Sequence, residues 1–320
     1  MHQEREYPAR VSGTALRNLT FNEEIPMPNP APIWASLSRE AHEFQYNPQK
    51  AFPDFARHGA ARAPQNEQAR RELKPHLDVR YGEHKLHTLD IFPAASADGK
   101  SPVHIFLHGG YWRAQDKQNF SFIAGALVPL GITTVIANYE LCPESTLDGV
   151  VDSALAAFEW TCRNIGDHGG NPASISVSGH SAGAHLAAEI MSTDWAARGV
   201  DASVLHGITM ISGIFDPMPT MSTTVNEQVR LTEEMARRHD VERRTPLVRC
   251  PVAVIAGARE PEQWIDQSFR YYHHLRRNAM QPELHILAGH DHFGILAAYL
   301  DGEGPTVRAI RRHALGRLES

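Results

Sequence analysis

ISVSGHSAGAHLAAEI, residues 175–190, joins a strand-like run of branched apolar residues to a helix-like pattern of small and apolar residues. Between them, Gly179 and Gly183 flank Ser181 in a G-x-S-x-G arrangement. A tight turn from strand to helix strains the serine backbone, and the two glycines leave room for that turn. The pattern predicts a serine hydroxyl exposed at the end of the strand, beside the positive end of a helix dipole. The alternative is a Gly-Ser turn that only packs the helix against the strand.

Eight short segments rich in Val, Ile, Leu and Phe repeat along the chain. They predict strands at 76–82, 87–93, 103–110, 132–139, 174–180, 205–215, 251–258 and 283–290. Helical patterns lie between most of the later segments, as at 147–166 and 182–198, so we expect an α/β fold with a mostly parallel sheet and helices on both faces. The short link between the first two segments predicts an antiparallel hairpin at the sheet edge.

Three segments lie outside this alternation. Residues 1–35 are polar and rich in Pro and Asn, which predicts an N-terminal extension to a domain that spans 36–320. Residues 36–74 have helical charge patterning without a strong apolar face, so we expect short helices there. A charged helical stretch at about 217–249, between the sixth and seventh strands, predicts a small cap insertion over the strand ends.

The composition limits the classes of function. The chain has 320 residues, of which 42% are hydrophobic, and a formal net charge of -6. It lacks a basic stripe that would neutralise phosphates, and its apolar runs are too short to span a bilayer, so we expect neither nucleic acid nor membrane as a partner. The N-terminus lacks the apolar core of a secretion signal, and the 3 cysteines show no C-x-x-C spacing. These features suit a reducing compartment, so we expect a cytoplasmic protein.

A serine becomes a good nucleophile when an imidazole accepts its proton and a carboxylate orients that imidazole. In strand–serine–helix sites of this type, the acid and then the histidine follow the serine along the chain, each in a loop after a strand. The loop after the seventh strand contains Glu260 and Glu262, and the loop after the eighth contains His290 and His292. Position alone leaves both pairs open. Asp291 between the histidines does not complete a metal-binding pattern, so we expect no metal.

A glycine pair after the third strand predicts an oxyanion hole. The sequence there is HGGYW, in which Gly109 and Gly110 allow the backbone to approach a substrate closely. We expect the N–H groups of these glycines to act together with that of Ala182, the residue after the serine. His108 and His180 are expected to hold these loops by hydrogen bonds rather than to transfer protons.

Together these motifs resemble the α/β-hydrolase fold, and within it the kynurenine formamidase (arylformamidase) branch, which is related to hormone-sensitive-lipase-type esterases. The resemblance runs from the YNPQKAFPDF segment at Tyr46 to the DHF segment that ends at Phe293. HGGYW resembles the oxyanion loop of that branch, REPEQWIDQS its acid loop and DHF its histidine loop. The resemblance implies a triad of Ser181, Glu260 and His292, and no cofactor.

The resemblance also implies a function, the hydrolysis of a formyl or short acyl group from an aromatic amide or ester through an acyl-enzyme. We expect Tyr111, Trp112, Trp264 and Phe293 near the substrate pocket, with the 217–249 cap closing over an aromatic ring. Trp112 is also a candidate for packing support. Two alternatives stay open: a carboxylesterase or carbamate hydrolase of broad specificity, and a non-catalytic ligand receptor. The sequence does not determine the oligomeric state, for which a homodimer is the commonest closed assembly.

Overall fold

One eight-stranded sheet organises the computed structural model, which describes residues 36–96 and 100–316. All eight predicted strands are present, and the predicted N-terminal extension at 1–35 lies outside the described residues. The strands are β1 (His76–Arg80), β2 (Thr88–Phe92), β3 (Ser101–Leu107), β4 (Thr133–Ala137), β5 (Gly170–His180), β6 (Leu205–Ile211), β7 (Val252–Gly257) and β8 (Glu283–Leu287). Their order across the sheet is β1-β2-β4-β3-β5-β6-β7-β8.

The sheet is mostly parallel, as the alternation of strands and helices predicts. Strands β3 to β8 pair in parallel, whereas β2 is antiparallel to both β1 and β4. The expected edge hairpin is therefore confirmed. Because parallel strands end at the same edge of a sheet, the loops after β3, β5, β7 and β8 meet there, where ligands bind in folds of this type.

Helices cover both faces of the sheet, and side chains of a central strand are therefore buried on both sides. Along β3, Val103, Ile105 and Leu107 join one apolar cluster, and Phe106 joins a second cluster on the other face. The helices are α1 (Arg39–Tyr46), α2 (Pro48–Ala51), α3 (Ala56–Glu72), α4 (Ser121–Leu127), α5 (Leu147–Asn164), α6 (Ala182–Met191), α7 (Asn226–Val229), α8 (Glu233–Arg238), α9 (Glu262–Arg277) and α10 (Pro305–Leu315). Within 36–96 and 100–316, no helix has both the length and the apolar character needed to cross a bilayer.

The helices before β1 differ from the prediction of short helices over 36–74. The first two are short, but α3 has 17 residues and continues past Pro64. Ala69 is its one buried side chain. The helix packs beside α4, and small and charged residues make up most of its sequence. Because small side chains make the contact with α4, the sequence of α3 has no apolar stripe from which the length of the helix could be predicted.

The 217–249 insertion contains a 3-10 turn at Met218–Ser222 and the short helices α7 and α8. Its apolar side chains, including Val229, Leu231, Ala236 and Val241, join the same apolar cluster as α5 and α6. The insertion is therefore packed onto one face of the sheet through its own core residues.

Candidate active site

Ser181 lies at the turn between β5 and α6. Its φ of 57° and ψ of -118° define a backbone conformation that residues other than glycine rarely adopt. The flanking glycines have no room for a side chain. A Cβ on Gly179 would lie 2.0 Å from the carbonyl oxygen of Gly183, and a Cβ on Gly183 would lie 2.0 Å from that of Leu107. The strained serine and the two close backbone approaches are those that the G-x-S-x-G pattern predicts.

The structure brings Ser181, His292 and Glu260 into one hydrogen-bonded chain. His292 Nε2 lies 3.1 Å from Ser181 Oγ, and His292 Nδ1 lies 2.9 Å from Glu260 Oε2. A carboxylate accepts hydrogen bonds, so Nδ1 carries the proton and Nε2 accepts from the serine hydroxyl. The other two candidates lie elsewhere. Glu262 is exposed at the start of α9, and His290 faces the carbonyl oxygen of Gly294 at 3.3 Å.

Two donors hold the Glu260 carboxylate from behind. Ser212 Oγ donates to Glu260 Oε1 at 2.5 Å, and the N–H of Gly257 donates to the same oxygen at 2.6 Å. Ser212 is the first residue after β6 and has φ 51°, in the left-handed region. With Oε1 occupied in this way, Oε2 is the oxygen that faces the imidazole of His292.

The imidazole of His292 packs against the rings of Trp264 and His180 as well as that of its neighbour Phe293. The ring of Trp264 meets it edge-on at 4.6 Å, and Trp264 Nε1 donates to the carbonyl oxygen of Ser212 at 2.9 Å. On another side, the His180 ring lies 4.8 Å away, and His180 Nε2 donates to the carbonyl oxygen of His292 at 2.7 Å. Burial holds the pKa of His180 well below its usual range, and the nearby His292 ring adds to this effect whenever it is protonated. His180 is therefore a neutral donor that holds the His292 loop.

Asp291 also shapes the His292 loop. Its Oδ1 accepts from the N–H groups of Phe293 at 3.0 Å and Gly294 at 2.7 Å, so this carboxylate closes a turn. Among the described residues, the group of side chains with metal-ligand spacing is His84, His87 and Glu140, which does not line the cavity at Ser181.

The predicted oxyanion loop lies directly against the serine. A Cβ on Gly109 would lie 3.2 Å from Ser181 Cβ, and both Gly109 and Gly110 line the cavity at Ser181. Among the described residues, the N–H groups of Gly109, Gly110 and Ala182 have no protein acceptor. Unpaired N–H donors suit a developing negative charge, and that of Ala182 also lies at the start of α6. His108 Nδ1 donates to the carbonyl oxygen of Gly109 at 2.7 Å, which holds this loop as expected.

A cavity of about 370 Å³ adjoins Ser181 and His292. Of the four aromatic residues expected there, Tyr111 and Phe293 line it, but Trp112 and Trp264 are not among its described lining residues. Trp112 packs edge-on against His185 at 5.2 Å, and Trp264 lies behind the imidazole of His292. The expectation that these two indoles line the pocket is therefore wrong, because both are fully buried; Trp112 instead has the packing role that was its alternative.

The cover of the cavity also differs from the prediction. Among the described residues, none from 217–249 lines the cavity, so the expected closure of this insertion over the substrate was wrong. The segment 48–66 lines it instead, because α3 presents Ala56, Gly59 and Ala63 toward the open space. Sequence reasoning missed Phe55 and Arg62 in this segment, although small residues spaced three to four apart were a usable signal of a helix face.

A family model that is described as the alpha/beta hydrolase fold matches residues 104–295, which are more than half of the chain. The chain therefore belongs to the α/β-hydrolase family. It is 31% identical over 279 residues to the kynurenine formamidase of Danio rerio, a match that covers 84% of this chain and 94% of the relative. It is 30% identical over 282 residues to that of Salmo salar, with coverages of 84% and 94%. The chain is an arylformamidase-like member of this family, and it is a hydrolase.

Solved structures share the same fold. A protein from Silicibacter sp. TM1040 superposes with a TM-score of 0.74 at 24% identity, over 84% of this chain and 98% of that one. An esterase from Pyrobaculum calidifontis superposes with a TM-score of 0.66 at 15% identity, over 87% and 97% of the two chains. At these identities, the likeness concerns the fold alone.

Proposed function

We propose that this chain removes a formyl or short acyl group from an aromatic amide or ester by acyl-enzyme catalysis. The observation that carries the proposal is the chain of contacts from Ser181 through His292 to Glu260, at 3.1 and 2.9 Å, on the wall of a cavity. A hydroxyl, an imidazole and a carboxylate in this order define a nucleophile, a general base and its orienting acid.

In the proposed acylation, Ser181 Oγ bonds to the substrate carbonyl carbon while its proton moves to His292 Nε2. The carbonyl oxygen becomes an oxyanion, which the N–H groups of Gly109, Gly110 and Ala182 stabilise. Collapse of this intermediate breaks the bond to the leaving nitrogen or oxygen, which takes the proton from His292. Glu260 stabilises the imidazolium while it exists.

Deacylation repeats these steps with water as the nucleophile. Water bonds to the acyl carbon and gives one proton to His292 Nε2, and the same N–H groups stabilise the second oxyanion. The bond from carbon to Ser181 Oγ then breaks, and His292 returns the proton to the serine. The products are the free acid and the restored enzyme.

Aromatic side chains in the cavity support an aryl leaving group. Phe55 and Phe293 stack with ring centroids 5.0 Å apart, and both line the cavity together with Tyr111 and Phe120. An aromatic ring on the substrate buries its apolar area against such walls. An anilide is also easier to cleave than an alkyl amide, because its nitrogen is less basic. The formamidase relatives favour a formyl group as the acyl part.

The second candidate is a short-chain carboxylesterase or carbamate hydrolase that uses the same residues. The comparison that separates the two is kcat/KM for N-formylkynurenine against kcat/KM for ethyl butyrate, an unactivated ester. A higher value for the formamide supports the arylformamidase function, and a higher value for the butyrate ester supports the alternative. Activated acetates are unsuitable here, because serine hydrolases of either kind cleave them.

The mechanism is tested with two serine variants. Ser181→Ala should abolish turnover and labelling by a fluorophosphonate, because the nucleophile is absent. Ser192→Ala is the matched control, since the buried Ser192 hydroxyl, at the end of α6, has no hydrogen-bond partner among the described residues. Full activity in Ser181→Ala would overturn the mechanism, and absence of labelling in the wild type would favour a non-catalytic receptor.

A further inference from the structure

Arg62 is a partly buried cation in the wall of the cavity that contains Ser181. Its Nη1 donates to the carbonyl oxygen of Phe293 at 3.2 Å, and its buried Nε has no partner among the described residues. Other arginines of α3 have carboxylate partners. Arg70 lies 2.5 Å from Asp90, and Arg57 lies 2.7 Å from Asp54. No described carboxylate lies within ion-pair distance of Arg62.

Contacts on two sides fix the Arg62 guanidinium without neutralising its charge. Its Cζ lies 5.5 Å from the centre of the Phe122 ring, and the Phe293 carbonyl holds Nη1. Burial lowers the pKa of Arg62 to about 10, which still leaves the group charged at neutral pH. A planar guanidinium held in this way is suited to a carboxylate, which accepts parallel hydrogen bonds from two of its nitrogens.

The charges in the cavity wall all have one sign. The described lining residues include two arginines, Arg62 and Arg113, and no aspartate or glutamate. Arg113 donates to the side-chain oxygens of Gln49 and Gln228, which are neutral, so its charge is also uncompensated. The cavity therefore attracts anions, and its described lining offers no ion-pair partner for an ammonium group.

We propose that Arg62 binds a carboxylate on the substrate, and that the preferred substrate is an aryl amide or ester with a net negative charge. This inference rests on the proposed function, which identifies the bond that is cleaved. It adds that the substrate carries a carboxylate near that bond. The next residue along the chain from His292 is Phe293, whose carbonyl holds Arg62. A carboxylate at Arg62 would therefore be bound beside the loop that supplies the general base, by a side chain of α3 that this loop holds in place.

The first test compares an anionic and a neutral substrate of similar size, 2-formamidobenzoate and formanilide. For Arg62→Gln, we expect the ratio of kcat/KM for the anion to that for the neutral compound to fall about 10- to 100-fold, the range for a lost hydrogen bond to a charged group. Arg62→Lys keeps the charge and should recover part of the ratio. Arg71→Gln is the matched control, because Arg71 is an exposed residue of the same helix that pairs with Glu72.

Two outcomes of this comparison would overturn the proposal. An unchanged ratio in Arg62→Gln would show that the guanidinium does not recognise the carboxylate. An equal loss for both compounds would assign Arg62 to support of the His292 loop through the Phe293 carbonyl. N-formylkynurenine, a zwitterion, serves as a third substrate and should be used less efficiently than 2-formamidobenzoate.

A second test separates failure of this inference from failure of the proposed function. 2-Aminobenzoate should inhibit p-nitrophenyl acetate turnover competitively, and its inhibition constant should rise about 10- to 100-fold in Arg62→Gln. Aniline, the neutral control, should show no such difference between the two proteins. The inhibition constants can be measured even if the protein cleaves no formamide. If no ester is cleaved either, calorimetric titration with 2-aminobenzoate measures the same difference, and equal affinities would refute the carboxylate site.

Discussion

The hydroxyl of Ser212 provides a sharp test of how the acid of the candidate triad is held. Ser212→Ala removes the donor that lies 2.5 Å from Glu260 Oε1 and leaves the N–H of Gly257, at 2.6 Å, as the other donor to that oxygen. A hydrogen bond to a charged group contributes about 1.5–3 kcal/mol. If the bond orients Glu260 toward His292 in the transition state, kcat falls about 10- to 100-fold, since each 1.4 kcal/mol is tenfold.

Ser212→Gly separates this effect from backbone strain. Glycine also lacks the hydroxyl, but it adopts the φ of 51° at this position more readily than alanine does. Both variants should therefore lose kcat equally, while urea denaturation should show a smaller loss of stability for the glycine variant. The backbone carbonyl that accepts from Trp264 is present in both. Wild-type kcat in both variants, or a loss of kcat that follows stability instead of the hydroxyl, would refute the reasoning.

Three further predictions concern helix α3, the two histidines of one loop, and pH. A Cβ on Gly59 would meet nothing within 4 Å, so Gly59→Ala should raise the unfolding free energy by about 0.5–1 kcal/mol in urea, and a loss would contradict the open space. His292→Ala should lower kcat by about 10⁴-fold or more, and His290→Ala by less than about tenfold; the reverse order would reassign the general base. Burial lowers the pKa of His104 and of His313 to about 3, and Arg312 adds a smaller effect at His313. The unfolded chain therefore binds protons below pH 6.5 that the folded chain does not, so stability falls as the pH drops through 6.5. Each histidine should cost on the order of 1 kcal/mol at pH 5.5 relative to neutral pH, and equal urea midpoints at pH 7.5 and 5.5 would contradict this.

Local sequence determined the strands, the strained turn at Ser181 and the loops that carry the acid and the histidine. Strand periodicity is a property of neighbouring residues, and the turn requires Gly179 and Gly183 because of contacts within one strand–turn–helix unit and with the adjacent strand β3. Once the sheet is parallel, the ends of β5, β7 and β8 lie at one edge. The meeting of Ser181 with the loops of Glu260 and His292 then follows from chain order.

Tertiary structure alone decided which segments surround the cavity. The charged 217–249 insertion has the composition of a lid, yet its apolar residues pack into the core, and the small residues of α3 line the cavity instead. Trp264 lies behind His292 rather than in the pocket, and Arg62 faces the cavity without a counter-ion. These placements depend on packing between segments far apart in sequence, and no periodicity within one segment encodes its partner. The residues that carry the chemistry could therefore be predicted from short motifs, whereas the shape and charge of the cavity walls depend on how the chain packs.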